Sequence, residues 1–383
     1  MATLRPRDRA DGTRAYQVIF RDRDQGGKQT SLTFDQDSEA RLFKRFLESN
    51  AHSFSLAEQG IIEMRSKAPT LNELIAHHLD TLTGVEKGTL DNYGRLMANH
   101  VEDTLGRHRL DTLSRTHVVE WLKGIDRTPK TLKNIHSIVS AALQTGVISD
   151  DWPIQANPAY GIRMPKGGGK NRERPYFMTH GQVDVMTEMI REVHHERLEH
   201  SRVLWDPGLF VRFKTRSGTR LSETTALRAV SDTTIRADGR IILHVNRAWK
   251  RSADGYTIGS TKTVAGERDV ALSDEFSEEF RPYLESLGVG DLLFPGKSGG
   301  MLHQGWFYDS YWNPTRLRLL GAGMLARKPV IHDLRHTHAS WLIAAGVPLT
   351  VVQRRLGHES ITTTSDIYGH LTDTADEEAA DAA

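Results

Sequence analysis

Two short stretches near the C-terminal end of the sequence carry side chains suited to phosphate chemistry. HDLRHTHASWL at 332–342 places His332 and Arg335 three residues apart, which on a helix is one face. LGHESITTTSDIYGH at 356–370 places His358 ten residues before Tyr368. Upstream, SGTRLSE at 217–223 holds Arg220, and TKTVAGERDVAL at 261–272 holds Lys262. The set of Arg220, Lys262, His332, Arg335, His358 and Tyr368 contains no carboxylate and no thiol. Guanidinium, ammonium and imidazole groups suit a phosphodiester, whose transition state spreads negative charge over several oxygens. A tyrosine hydroxyl can serve as a covalent nucleophile.

Taken singly, none of these residues is informative. An isolated arginine is most often a surface charge, and an isolated tyrosine packs or makes a surface hydrogen bond. Arg220 would offer a rigid fork to non-bridging phosphate oxygens. Glu223, three residues on, would orient it by ion pairing or would simply favour a helix start. A lysine in the Lys262 region is a mobile cation able to give up a proton near phosphate, and Lys250 is a rival for that role. A phenol titrates near ~10, so Tyr368 needs neighbouring cations or a proton acceptor. His332 is one candidate acceptor, and the spacing alone leaves the choice open. His332 and His336 are four apart, a spacing that also suits zinc on a helix. Asp333 stands where such a motif carries glutamate, and no third ligand stands out, so neither a metal nor any other cofactor is expected.

In this order the six residues resemble the tyrosine recombinase (phage integrase) family. The family's first box reads threonine-glycine-x-arginine, and here Ser217 replaces the threonine before Gly218 and Arg220. The LGH context of His358 and the YGH context of Tyr368 match. Lys262 is preferred over Lys250 because Thr263, Gly266, Arg268 and Leu272 follow the family pattern. The resemblance implies that Tyr368 attacks the scissile phosphate, giving a 3′-phosphotyrosyl link and a free 5′ hydroxyl. It implies that Arg220, Arg335 and His358 hold the oxyanions and that Lys262 protonates the leaving oxygen. It further implies double-stranded attachment sites as substrate, a homotetramer acting on two duplexes, and no need for ATP. A phage source would add a host DNA-bending protein and an excision-directionality factor as partners. The competing readings are a type IB topoisomerase, a chromosomal dimer-resolving recombinase, and a DNA-binding accessory protein without catalysis.

The bulk composition is compatible with this. At 383 residues the chain is long enough for two or three domains. A hydrophobic content of 38% and a charged content of 26% describe a globular protein. No apolar run approaches the ~20 residues of a membrane helix, and MATLRPRDRADG at the start has no secretory character. Cysteine is absent, which excludes disulfides and thiolate chemistry and fits a cytoplasmic setting. The net charge of +1 is not that of a strongly basic protein, but charge is unevenly placed. RMPKGGGKNRER at 163–174 carries five bases and one acid, whereas the tail after Leu371 carries five acids and no base.

These residues need a scaffold, and the pattern predicts an α+β multidomain chain. Residues 1–65 read as a small sheet domain. AYQVIF and KQTSLTF are strand-like, Gln25-Gly26-Gly27 turns a hairpin, and a helix follows from about Ser38. Its position resembles the arm-type DNA-binding domain of larger phage integrases. Residues 70–163 read as all-helical and resemble a core-binding domain. Thr70 and Glu73 form a capping box, further helices begin near Thr89, at 115 and at Pro129, and Gly146 would stop the last. Residues 164–174 read as a basic linker. Residues 175–383 read as a mainly α catalytic domain with a small antiparallel sheet and an acidic tail. Helices are expected there at 179–197, 221–229, 273–287, 305–321, 333–345 and 348–356. Strands are expected at 240–247, 255–263 and 267–272, the last two as a hairpin.

Overall fold

The computed structural model describes residues 2–9, 12–165, 175–197, 203–261 and 263–369. Lys262, the basic stretch 166–174 and the tail from 370 onward lie outside the described residues. The chain is α+β and divides into two compact units, 1–170 and 171–383.

The first unit opens with β1 (Thr3–Asp8), β2 (Arg14–Asp22) and β3 (Lys28–Phe34), an antiparallel sheet in that order. The Gln25–Gly27 turn forms as expected, with Asp22 opposite Lys28. Alternation along β2 buries Val18 and Phe20 on one face. Two helices, α1 (Asp37–Ser49) and α2 (Phe54–Arg65), follow the sheet, and Phe43 of α1 meets Phe20 edge-on at 5.8 Å. Strand β1 was not anticipated. Its Pro6 cannot donate to a ladder, which a strand at the sheet edge tolerates.

Then come α3 (Leu71–Thr81), α4 (Lys87–His100), α5 (Arg115–Gly124) and α6 (Pro129–Ile148), with a hydrophobic cluster of their own built on Leu74, Val101, Ile135 and Leu143. The Thr70–Glu73 capping box is present, and Thr128 caps α6 ahead of Pro129. Gly146 does not stop α6, which runs to Ile148. A Cβ there would lie 2.9 Å from Leu74 Cδ2 and 3.0 Å from Ile154 Cγ2, so this glycine serves close packing rather than termination.

The second unit contains α7 (His180–His195), α8 (Pro207–Ser217), the short α9 (Leu221–Thr224), β4 (Thr233–Ile235), β5 (Ile241–Val245), β6 (Arg247–Ser252), β7 (Gly255–Ser260) and β8 (Arg268–Ala271). These are followed by α10 (Asp274–Glu285), α11 (Gln304–Phe307), α12 (Asn313–Gly321), α13 (Asp333–Ala344), α14 (Leu349–Leu356) and α15 (Ile361–Tyr368). Its core is aromatic, with Phe213 in contact with Phe280 at 5.0 Å and with Phe294 at 5.2 Å.

Four expectations are corrected here. The helix expected at 221–229 ends at Thr224, because Leu227 O and Ala229 N are taken by Leu293 N and Asp291 O, tertiary main-chain bonds that a helix would forbid. The strand expected at 240–247 breaks at Asn246, with β5 in a three-stranded sheet β4-β5-β8 and β6 paired with β7 in another. The strands expected to form a hairpin around Ala265-Gly266 therefore pair elsewhere: β7 with β6 and β8 with β5. The helix expected at 305–321 contains a π turn at Tyr308–Trp312, where Asn313 N donates to Tyr308 O. Pro314 lacks an N–H and its ring would crowd the carbonyl four residues back, which a wider turn relieves. Helices α8 and α15 were not anticipated. Among the described residues no helix is long and apolar enough to cross a membrane.

Candidate active site

Two helix C-termini hold the arginines. Helix α8 ends at Gly218 (φ 65) and α14 ends at Gly357 (φ 67), both in the left-handed conformation. The last carbonyls of a helix lack intrahelical partners and carry partial negative charge. Arg335 Nη1 donates to Gly218 O at 2.7 Å and its Nη2 to Leu356 O at 2.6 Å. Arg220 Nη2 donates to Gly357 O at 2.8 Å. The Arg335 guanidinium is thus fixed by neutral carbonyls alone, and its charge is left for another anion.

Glu223 supplies the local counter-charge. It accepts from Arg220 N and Nη1, both at 2.7 Å, and from Arg268 Nη2 at 2.9 Å. Burial alone would push this carboxyl up, but Arg268, Arg220 and Arg335 hold it at about 2. Arg268 also donates to Arg355 O and Gly266 O. Arg335 is 1% exposed, and burial together with the Arg220 charge pulls its guanidinium down to about 9. Such a buried cation gains from an incoming anion.

Beneath this layer lies Lys214 of α8, fully buried, donating to Thr219 O and to Thr224 Oγ1. Burial and the Arg335 charge push its ammonium well below the usual lysine range. It ties down the Thr219 main chain immediately before Arg220. His338 is fixed in one tautomer, with Nδ1 donating to Thr215 O at 2.8 Å and Nε2 accepting from Arg355 Nε at 2.9 Å. Lys214, His338 and Arg355 were missed from the sequence. The available signal was a lysine within the apolar run of α8, next to Phe213 and four residues after Phe210.

Helix α13 begins after His332 and carries Arg335 and His336 within its first turn and a half. The loop before α7 is anchored to it by Met178 N donating to Thr337 Oγ1 at 3.0 Å. Tyr368 ends α15, buried against Ala339, Ile343, Val352 and Leu356. Its hydroxyl lies 2.7 Å from His336 Nδ1. Burial raises the phenol to about 12, opposed by the Arg335 charge. His358 Nδ1 is 2.9 Å from Thr364 Oγ1 on α15. Burial lowers His332 to about 3, His336 to about 4 and His358 to about 4, with the nearby arginines adding to the effect. Beside Arg220 and His332 opens a cleft of about 620 Å³, also lined by Trp249, Arg251, Tyr256 and His303.

The structure thus gathers Arg220, His332, Arg335, His358 and Tyr368, which the sequence spreads over 149 positions, from 220 to 368. Lys262 lies between the described Thr261 and Thr263 and outside the described residues. The residue that touches the tyrosine hydroxyl is His336, which the sequence had pointed to only as a zinc ligand. Among the described residues no group of three or more His, Cys, Asp or Glu side chains is placed to hold a metal.

The family model described as "Phage integrase family" matches residues 176–375, just over half of the chain. The chain belongs to the phage integrase family. As a member of it, the protein is an enzyme of the tyrosine recombinase type. Among relatives of the phage integrase family, it is 25% identical to tyrosine recombinase XerD of Oceanobacillus iheyensis over 77% of this chain and 92% of that one. It is 24% identical to a putative prophage phiRv2 integrase of Mycobacterium tuberculosis, over 72% of this chain and 68% of the relative. A probable integrase/recombinase protein of Methanocaldococcus jannaschii is 34% identical, but the match spans only 37% of that protein and 32% of this one. Among solved structures, the Tn1549 transposon integrase in complex with a circular intermediate DNA superposes with a TM-score of 0.66, covering 82% of this chain and 100% of that one at 21% identity. A lambda integrase tetramer bound to a Holliday junction gives 0.57, covering 94% of each chain at 17% identity. At these identities the structural likeness is one of fold.

Proposed function

We propose that this protein is a site-specific DNA recombinase that cuts and rejoins duplex DNA through a 3′-phosphotyrosyl intermediate, integrating and excising a phage or other mobile element. The observation that carries this reading is the buried Tyr368 hydroxyl, held within the electrostatic reach of Arg335, whose own charge rests on neutral carbonyls. A phosphodiester between Arg220 and Arg335 meets two guanidinium groups already fixed in place. Tyr368 attacks phosphorus, Arg220, Arg335 and His358 hold the non-bridging oxygens, and His332 borders the cleft in which the strand lies. Lys262, assigned from its motif, protonates the departing 5′ oxygen. A 5′ hydroxyl from a second duplex reverses the step. One ester replaces another, so the chemistry needs neither ATP nor a metal.

In this reading residues 1–65 bind arm-type DNA, 70–163 the core site, 164–174 form a basic linker, and 175–383 carry the chemistry. Separate hydrophobic clusters around Phe43 and around Leu143 support treating the first two as distinct modules. Four subunits act on two attachment sites in the bacterial cytoplasm, with a host bending protein and an excision factor as further partners. The match to 92% of a XerD recombinase, over 77% of this chain, supports a second reading, resolution of chromosome dimers, within the same chemistry.

Trapping on a duplex nicked near the cleavage site tests the proposal. Wild-type protein should accumulate a covalent adduct, and Tyr368→Phe should bind the same DNA and form none. Strand exchange between two marked duplexes separates a recombinase from a type IB topoisomerase, which would only relax one.

A further inference from the structure

The tyrosine hydroxyl has a specific partner, and it is not the histidine that the motif spacing brings forward. His336 Nδ1 lies 2.7 Å from Tyr368 Oη. His332 stands behind it, its ring packed edge-on against the His336 ring at 4.8 Å. His358 directs its Nδ1 to Thr364. Tyr368 is fully buried, so bulk water does not reach its hydroxyl as a base. Four groups therefore bear on His336: His332 just before its helix, Arg335 on it, His358 after α14, and Tyr368 from α15.

We propose that His336 is the proton acceptor for Tyr368 during strand cleavage and the donor that restores it during rejoining. This rests on Tyr368 being the nucleophile. In cleavage the Tyr368 O–H bond breaks and an N–H bond forms at His336 Nδ1. The freed oxygen pair forms the bond to phosphorus, the bond from phosphorus to the 5′ oxygen breaks, and that oxygen takes its proton from the general acid. Rejoining runs the same transfers backwards, so protons and charge balance over the cycle. The productive tautomer carries its hydrogen on Nε2, leaving Nδ1 free to accept.

The protein's own surroundings oppose this transfer. Burial holds His336 at about 4 and Tyr368 at about 12, and the Arg335 charge further disfavours a proton on His336. A phosphodiester beside Arg335 adds a negative charge, offsets that repulsion and raises the proton affinity of His336. Proton transfer is thereby coupled to the arrival of DNA, and the free protein keeps a neutral, unreactive phenol.

The test uses the full-length protein and single-turnover adduct formation on the nicked duplex. His336→Asn keeps a polar side chain of similar reach but takes up no proton in the working range. It should bind DNA normally and form adduct about 10²- to 10³-fold more slowly. Replacing Tyr368 by 3,5-difluorotyrosine, whose phenol ionises more easily, should recover at least about tenfold of that loss, and the acidic limb of the pH–rate profile should be altered in His336→Asn. An His336→Asn rate within about threefold of wild type overturns the proposal. So does a slow variant that the fluorinated tyrosine does not relieve, which marks a merely structural role. Adducts formed by Tyr368→Phe would instead overturn the nucleophile assignment, and with it this inference.

Discussion

Arg220 and Glu223 hold each other twice: the carboxylate accepts from the main-chain N–H of Arg220 through one oxygen and from its guanidinium through the other, both at 2.7 Å. The same carboxylate accepts from Arg268 of β8, so one side chain links the loop after α8 to the sheet. A buried acid with two cationic partners is an orienting device whose removal leaves two charges without compensation.

Glu223→Gln should therefore slow adduct formation by about 10- to 100-fold while DNA binding persists. It should also cost about 3 kcal/mol in urea unfolding, because Arg220 and Arg268 lose their shared anion. Single-turnover cleavage and urea titration check both. An unchanged cleavage rate in a folded variant would show that Arg220 orients without it.

Gly218 faces His338 so closely that a Cβ would stand 2.3 Å from His338 Cδ2, and its φ of 65° disfavours any other residue. Gly218→Ala should destabilise the second unit by about 2–4 kcal/mol and disturb the carbonyl that holds Arg335. Gly94→Ala, inside α4 with open space around it, is the control and should be neutral or stabilising by about 0.5–1 kcal/mol. Thermal unfolding of both variants separates crowding from a general effect of added methyl groups.

Acid should unfold the protein through its buried histidines. His332 and His338 lie at about 3 and His336 and His358 at about 4, all below their ordinary 6.5 because burial disfavours the charged ring. The unfolded chain binds these protons first. The stability they contribute is complete above about pH 6.5 and drains away as pH falls toward 4 to 3. The urea midpoint should drop steadily between about pH 7 and about pH 5. A flat profile over that window would show that the rings are not held neutral in the fold.

Lys262→Ala should slow cleavage of an ordinary phosphodiester strongly, by about 10²-fold or more. A substrate whose bridging 5′ oxygen is replaced by sulfur should recover near wild-type rate, since a thiolate departs without a general acid. Rescue of Lys250→Ala in place of Lys262→Ala would move the role to Lys250.

The sequence by itself determined the family and most of the helices. Boxes such as HDLRH and LGH are local, and their order survives whatever the chain does between them. The capping box at Thr70, the Pro129 start of α6 and the Gly-Gly hairpin are also local, since they depend on neighbours within four residues. Tertiary structure decided the rest. Whether residues 225–229 continue a helix depended on main-chain bonds to 291–293, and which strand β7 joins depended on β6 rather than on the turn that follows it. Which histidine meets Tyr368 could not be read from spacing. His332 and His336 differ by one helical turn on α13, and only the packing of α15 against α13 and α14 places the hydroxyl at His336. Nor does a one-dimensional pattern reveal that Arg335 rests on carbonyls at the ends of two other helices, because those groups become neighbours only when the chain has folded.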